Sequence, residues 1–573
     1  MFKRIVLALT AAVLALAGAF SGSGKPGSTD AAAISPQTID AASCSGLTGL
    51  SLADTTIDAA VLVPAAGALP EHCLVRGHVE AEINFEVKLP TTAWNGKLYF
   101  AGGGGFNGFI PPATAGLVRG YATIGTDTGH VGTSLFDGTW ALGHPDRLEN
   151  FAYRAVHVVT VAAKQIVAGA YGNGPQYAYL EGWSEGGRQG MVSAQRYPDD
   201  FDGIVSGAPV LDITGQGLFV NRAQQARMAS PGLEDKLAVL GRSVVAECDA
   251  KDGLVDGLIE SPGRCRFDPA TLICAGGDAP DCLTAAQVET ARKIYAGPVT
   301  PAGEPLYPGA APGAESFLAG WELWLSGPGP FGFPLGMLIG DGSFRFIFFG
   351  DLTYDTFAFD FDDDLAQVEA LSPLLDAADP DLSAFRDAGG KLLVWHGLAD
   401  VGVNVDRTIA YWNEVEQAMH GPGKVDDFFR LFLAPGLGHC YPSGTLGLLE
   451  TCGPGLNTFD ALSALENWVE HGIVPDSIAA SHVGPGVART RPLCAYPKIA
   501  VYSGQEIRTT LRISPASSAA LVGRLAGSST SLPPDGGERR RKATQPSAFA
   551  IPVTEIQYES DPSVLILGSR SRR

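Results

Sequence analysis

The run Leu180-Glu181-Gly182-Trp183-Ser184-Glu185-Gly186-Gly187-Arg188-Gln189-Gly190 sets one serine between two glycines, each two residues away. Gly-x-Ser-x-Gly after a strand and before a helix is the spacing of a nucleophile elbow, a tight turn that lifts the hydroxyl above a sheet. The flanks supply that context. Gln176 to Leu180 reads as a short buried strand, Arg188 to Arg196 as the opening of a helix, and Phe201 to Val205 as the next strand. Glycines beside the serine leave room for a strained backbone and for strand and helix to approach closely. In a chain with 72 glycines the same pattern also arises as an ordinary strand-to-helix turn, so the remaining sequence decides its meaning.

Working outward, 573 residues suffice for one large α/β domain with an insertion or for several smaller domains. Hydrophobic residues make up 45% and aromatics 9%, the composition of a packed globular protein. Forty basic against 61 acidic side chains give a formal charge of −21, which argues against nucleic acid as a partner.

Lys3 and Arg4 precede the apolar run Ile5 to Phe20, and small and polar residues follow through Ala33. This is the layout of a secretory signal peptide over 1–33, cleaved near Ala19 or as late as Ala33. The alternative is an uncleaved anchor, for which about 16 apolar residues are short. No cysteine follows the run, which disfavours lipid anchoring, and no other stretch suits a span after signal cleavage. The expected location is secreted or periplasmic, where the nine cysteines become disulfide candidates. Their order suggests Cys44–Cys73, Cys248–Cys265 and Cys274–Cys282, leaving Cys440, Cys452 and Cys494. The odd count requires an unpaired or intermolecular thiol, assigned here to Cys494.

Residues from about 34 to 73 read as irregular with one apolar patch near Ala59 to Val63, and Val79 to Leu89 alternates as a single half-buried strand. Lys97 to Ala101 is a further strand, running directly into Gly102-Gly103-Gly104-Gly105. That poly-Gly stretch lacks the Lys-Ser/Thr ending of a phosphate loop but occupies the place that supplies an oxyanion N–H in serine hydrolases. Tyr121 to Gly125 is another core strand, His130 reads as structural, and Tyr153 to Ala170 has helical periodicity. Strand–helix alternation stops after Pro209 and resumes with Gly390 to Gly397 and Phe428 to Leu433, with a helix near Arg407 to Met419 between them. One α/β domain (34–212 and 385–503) interrupted by an insertion (213–384) is the parsimonious division. Beyond 503, Ser, Pro and Arg dominate, and 504–573 reads as a disordered tail.

Acyl transfer by serine needs a base for its proton and a carboxylate to orient that base. His396-Gly397-Leu398-Ala399-Asp400 follows one late strand, and Pro435-Gly436-Leu437-Gly438-His439 follows the next. Ser184, Asp400 and His439 therefore come in the order of an α/β-hydrolase, each at the carboxyl end of a strand. Within the insertion, Cys248-Asp249-Ala250-Lys251-Asp252-Gly253-Leu254-Val255-Asp256-Gly257-Leu258 spaces three carboxylates at intervals of three and four. With the carbonyls of Leu254 and Leu258 these suit calcium, although the spacing is not an EF-hand's; the alternative is an acidic surface turn.

Taken together, Gly-x-Ser-x-Gly-Gly-Arg, His396-Gly397-x-x-Asp400, Pro435-Gly436-x-x-His439-Cys440, the Cys248-Asp249 loop and Arg489-Thr490-Arg491-Pro492-Leu493-Cys494 resemble the tannase/feruloyl esterase family, from about Cys44 to Tyr502. The resemblance implies an α/β-hydrolase sheet with helices on both faces and a large inserted lid domain. It further implies hydrolysis of aromatic carboxylic esters, calcium in the lid and no organic cofactor. Ser184 would be the nucleophile, His439 the base and Asp400 its orienter. The N–H groups of Gly105 and Glu185 would line the oxyanion hole, and Asp249, Asp252, Leu254, Asp256 and Leu258 would hold calcium. The expected substrate is a small or plant-polymer-linked aromatic ester of feruloyl or galloyl type. Insertion aromatics such as Trp321, Trp324, Phe344 and Phe346 read as its own core before a substrate wall. One departure stands out. The family usually carries Cys before the serine, bridged to the Cys after the histidine, whereas position 183 is Trp, leaving Cys440 to pair with Cys452. The competing reading is a non-catalytic or weakly active secreted protein of this fold that binds aromatic ligands.

Overall fold

Nine strands form the central sheet: β1 (Thr55–Val63), β2 (His72–Val79), β3 (Ile83–Pro90), β4 (Lys97–Ala101), β5 (Ala122–Thr126), β6 (Tyr177–Trp183), β7 (Gly203–Gly207), β8 (Lys391–Gly397) and β9 (Phe429–Ala434). The computed structural model describes residues 38–327, 332–421, 423–442, 452–484, 488–502 and 507–511. The strand order is β1-β2-β3-β5-β4-β6-β7-β8-β9. β1, β2, β3 and β5 pair antiparallel, and every pairing from β5 through β9 is parallel.

The parallel strands are apolar throughout because both of their faces are covered. Neighbouring residues of one strand enter different cores. Phe100, Leu180, Ile204, Leu392, Val394 and Leu431 pack on one face with the helices Ala155–Tyr171, Glu185–Arg196 and Val405–Ala418. Tyr99, Tyr179, Val205, Leu393, Trp395 and Phe432 pack on the other with Ala461–His471. An α/β sheet with helices on both faces is thus the architecture.

Three features differ from expectation. The stretch read as irregular contains β1, an edge strand whose alanines and threonines weaken the apolar signal, preceded by a short helix at Ala41–Gly46. The single strand expected over Val79–Leu89 is broken, since Glu80 turns with φ of 53° and separates β2 from β3. Part of the stretch expected as a tail from 504 is strand. After β10 (Ser477–Ser481) and β11 (Thr490–Cys494), strand β12 (Lys498–Tyr502) pairs antiparallel with β13 (Ile507–Leu511) in register Lys498 to Leu511. The expected signal peptide, 1–33, and the rest of the stretch expected as a tail, from 512 onward, lie outside the described residues.

Between β7 and β8 the chain leaves the sheet. The helices Ile213–Ala229, Leu237–Cys248 and Ala285–Ala296 enclose an apolar cluster of their own, which includes Trp321 and Trp324 and extends to Ala399 and Val401 beside Asp400. Phe344 is fully buried in a second cluster with Phe348 and Phe359. Disulfides join Cys44–Cys73, Cys248–Cys265, Cys274–Cys282 and Cys440–Cys452, and Cys494 is buried on β11 outside them. Among the described residues no helix is long and apolar enough to cross a membrane.

Candidate active site

Ser184 is the single residue between β6 and the helix Glu185–Arg196, with φ of 60° and ψ of −122°. A non-glycine residue in that region is strained by about 1–3 kcal/mol and persists only where its surroundings impose it. They do so here. The Ser184 N–H donates to Gly207 O at 2.9 Å, and its carbonyl accepts from Arg188 N at 3.0 Å and Val210 N at 3.3 Å. Gly187 must be glycine, because a Cβ there would lie 2.4 Å from Gly207 O.

Charge fixes the helix behind the serine. Arg188 is fully buried and bonds both carboxylate oxygens of Glu185, and also the carbonyls of Phe151, Ala152 and Leu375. Burial pushes the Glu185 carboxyl up and the Arg188 guanidinium offsets that rise.

Asp400 follows β8 and is entirely buried. One carboxylate oxygen accepts the Val403 N–H at 2.8 Å, and the other faces His439 Nδ1 at 2.7 Å and His396 Nε2 at 3.4 Å. Burial pushes this carboxyl up, yet the His439 charge and the bonds from His396 and His439 outweigh it and hold it at about 2. An ionised carboxylate only accepts, so Nδ1 of His439 carries the proton and Nε2 is left as the proton acceptor.

His439 follows β9 on a loop fixed by the Gly438 N–H to Cys452 O bond of 2.8 Å and by the Cys440–Cys452 disulfide. Two indoles contact its ring. Trp183 lies 4.6 Å away between centroids and Trp324, from the insertion, 5.0 Å away edge-on. The structure therefore brings Asp400 and His439 into contact and sets Ser184 at the carboxyl end of β6. Among the described residues no hydrogen bond joins the Ser184 hydroxyl to the imidazole, an open alignment common in serine sites without substrate.

The poly-Gly stretch lies on the start of the same helix, since Gly103 N donates to Gln189 Oε1 at 3.0 Å. A Cβ on Gly186 would sit 2.6 Å from Gly103 O. Among the described residues neither Gly105 N nor Glu185 N has an intramolecular acceptor, and the helix N-terminus adds its dipole to the latter.

In the acidic loop, Asp249 accepts from Asp256 N and Gly257 N, Asp252 from Leu254 N and Glu260 N, and Asp256 from Leu258 N while facing Arg489 and Arg491. Burial raises the Asp252 carboxyl, and the charges of Asp256 and Asp249 raise it further. The donor chemistry suits a hard cation. The carboxylates nevertheless face the loop's own N–H groups, and among the described residues no three His, Cys, Asp or Glu side chains are drawn together as a metal cage.

A family model described as tannase and feruloyl esterase matches residues 69–512. The chain belongs to the tannase and feruloyl esterase family. An uncharacterized esterase of Xanthomonas campestris pv. campestris is 35% identical over 529 residues, covering 81% of this chain and 89% of its own. The mono(2-hydroxyethyl) terephthalate hydrolase of Piscinibacter sakaiensis is 34% identical over 526 residues, 78% and 85%. The crystal structure of feruloyl esterase B from Aspergillus oryzae superposes with a TM-score of 0.71 at 27% identity, covering 81% of this chain and 97% of that one. The fold is accordingly that of the α/β-hydrolase esterases, and family membership makes carboxylic ester hydrolysis the class of reaction.

Against that family background, two contacts were not legible as contacts. His396 stood in a quoted motif, but its approach to Asp400 depends on the turn after β8, closed by the Asp400 N–H to Gly397 O bond of 3.2 Å. Trp324 was read as core, and it is core, yet its edge also meets His439. His130 is buried. Its Nε2 faces Phe106 O at 3.0 Å and its ring stacks on Trp140, while burial pushes it down to about 4.

Proposed function

We propose that the protein is an exported serine esterase that cleaves aromatic carboxylic esters of feruloyl or galloyl type through an acyl-enzyme on Ser184. The observation that carries this reading is the buried Asp400–His439 pair facing the same sheet edge as a serine held at positive φ. His439 Nε2 takes the proton from Ser184 Oγ as Oγ attacks the ester carbonyl. The tetrahedral oxyanion accepts hydrogen bonds from Gly105 N and Glu185 N. The imidazolium returns its proton to the departing alkoxide, and water then repeats the sequence to release the acid. Asp400 stays ionised throughout, which keeps Nδ1 protonated and Nε2 facing the serine.

Export is supported by the signal-like N-terminus and by four disulfides, which persist in oxidising compartments. Residues 213–384 are proposed as the lid over the site, since Trp324 reaches His439 from that segment. Asp249, Asp252 and Asp256, with the carbonyls of Leu254 and Leu258, are proposed to hold calcium, which would neutralise the mutual repulsion that raises Asp252. The aromatic acyl group is inferred from the family description and from the feruloyl esterase relative.

Ser184→Ala tests the assignment on methyl ferulate, methyl gallate and p-nitrophenyl acetate. Turnover should vanish on whichever esters the wild type cleaves, and unchanged turnover would overturn it. A fluorophosphonate probe separates the competing reading, because a non-catalytic binder of aromatic ligands is not labelled at Ser184.

A further inference from the structure

We propose that Trp183 is a positioning residue for His439, acting with Trp324 as an aromatic clamp that fixes the plane of the imidazole during each proton transfer. The inference rests on the assignment of His439 as the base.

Among the described residues His439 has one polar side-chain anchor, the Nδ1–H bond to Asp400. A single hydrogen bond fixes a point and a direction but leaves the ring free to turn about it, so its plane has to be set by packing. Two indoles supply that packing. Trp183 is inclined at 46° to the imidazole with centroids 4.6 Å apart, and Trp324 stands at 89° to it at 5.0 Å. The arrangement is tight. A Cβ on Gly402 would meet Trp324 Cε2 at 2.8 Å and His439 Cγ at 2.9 Å.

The origin of each indole matters. Trp183 immediately precedes Ser184, so it couples the nucleophile's turn to the base directly. The disulfide at Cys440 does not do this, since it ties the histidine loop to Cys452. Beneath the indole, Glu181 bonds Tyr441, and the Trp183 ring lies 6.4 Å from the Tyr441 ring, which gives the elbow a second hold on the same loop. Trp183 is only partly buried.

The chemistry gives the contact a role beyond packing. When Oγ loses its proton to Nε2, the imidazole becomes a cation, and it reverts when the proton passes to the leaving oxygen. A ring held in one plane keeps Nε2 aligned with the donor and acceptor oxygens in both transfers, so loosening it lowers kcat.

The test uses the full chain carrying W183A, W183F and W183L, with kcat and KM on methyl ferulate and p-nitrophenyl acetate and the rate of fluorophosphonate inactivation. W183A should lower kcat about tenfold, equivalent to about 1.4 kcal/mol, and slow inactivation alike, with KM within about threefold of wild type. W183F should recover most of the loss and W183L should not. A rise in KM with kcat unchanged would make Trp183 a substrate wall and overturn the proposal, as would W183L matching W183F. Should W183A not fold, the Phe–Leu comparison decides alone. Activity in Ser184→Ala would defeat the assigned mechanism whatever the Trp183 variants do, so the two failures are separable.

Discussion

Replacing Asp400 by Asn keeps its shape and removes its charge. The carboxyl is held at about 2 against a reference of 3.8. Each unit is worth about 1.4 kcal/mol, so the ionised group contributes roughly 2 kcal/mol of folding stability. Because the folded value lies below the unfolded one, that contribution is complete above the unfolded value and fades as the pH falls through the folded value. D400N should therefore be less stable than wild type by roughly 2 kcal/mol at neutral pH, and the gap should shrink to about half near pH 3. Chemistry should suffer far more. Asn can donate to Nδ1 as readily as it can accept, and the wrong tautomer puts a proton on Nε2, where the base must be empty. In serine proteases the corresponding change costs on the order of 10⁴ in kcat. Urea unfolding at the two pH values and kcat on p-nitrophenyl acetate measure both effects. A gap that widens on acidification, or activity within tenfold of wild type, would refute the reasoning.

Arg188→Leu strands the buried Glu185 carboxylate and should destabilise by about 3–5 kcal/mol, seen as a lower melting temperature; the pair E185L/R188L should recover part of it. Gly105 has φ of 56°, and a Cβ there would lie 2.3 Å from Leu135 O. Gly105→Ala should therefore lower kcat by moving the oxyanion N–H while leaving KM nearly unchanged, which steady-state kinetics on p-nitrophenyl acetate would show. Chelation with EDTA should lower the melting temperature and added Ca²⁺ should restore it; protein purified without metal and indifferent to EDTA would end the calcium proposal.

The parallel half of the sheet was legible because its strands are buried on both faces and carry continuous apolar runs. Lys97–Ala101 agrees with the expected strand at both ends, and β6, β7, β8 and β9 are each displaced by three residues or fewer. The antiparallel edge was less legible. β1 alternates weakly, since its exposed side needs no particular residue, and the turn at Glu80 uses a positive φ that glutamate does not advertise. β13 pairs with β12 outside the central sheet, so composition alone made it look like the start of the tail.

The candidate site divides along the same line between local and distant information. Ser184, Asp400 and His439 each sit in a short motif whose form follows from the turn it must make, so each could be named from its neighbours. The contacts that set their chemistry come from elsewhere in the chain. Asp400 is held low by two imidazoles, and only one of them belongs to the expected triad. The elbow helix is anchored by Arg188 to carbonyls at Phe151, Ala152 and Leu375, three positions that no motif marks. Trp183 joins the two kinds of information. The sequence shows it as a residue where the family usually has cysteine, and a lost bridge would be expected to loosen the histidine loop. The loop instead keeps a disulfide through Cys452, and the indole packs against the imidazole ring at 4.6 Å between centroids. The covalent tie that the family usually has between the elbow and the histidine loop is thus replaced by an aromatic contact between Trp183 and His439.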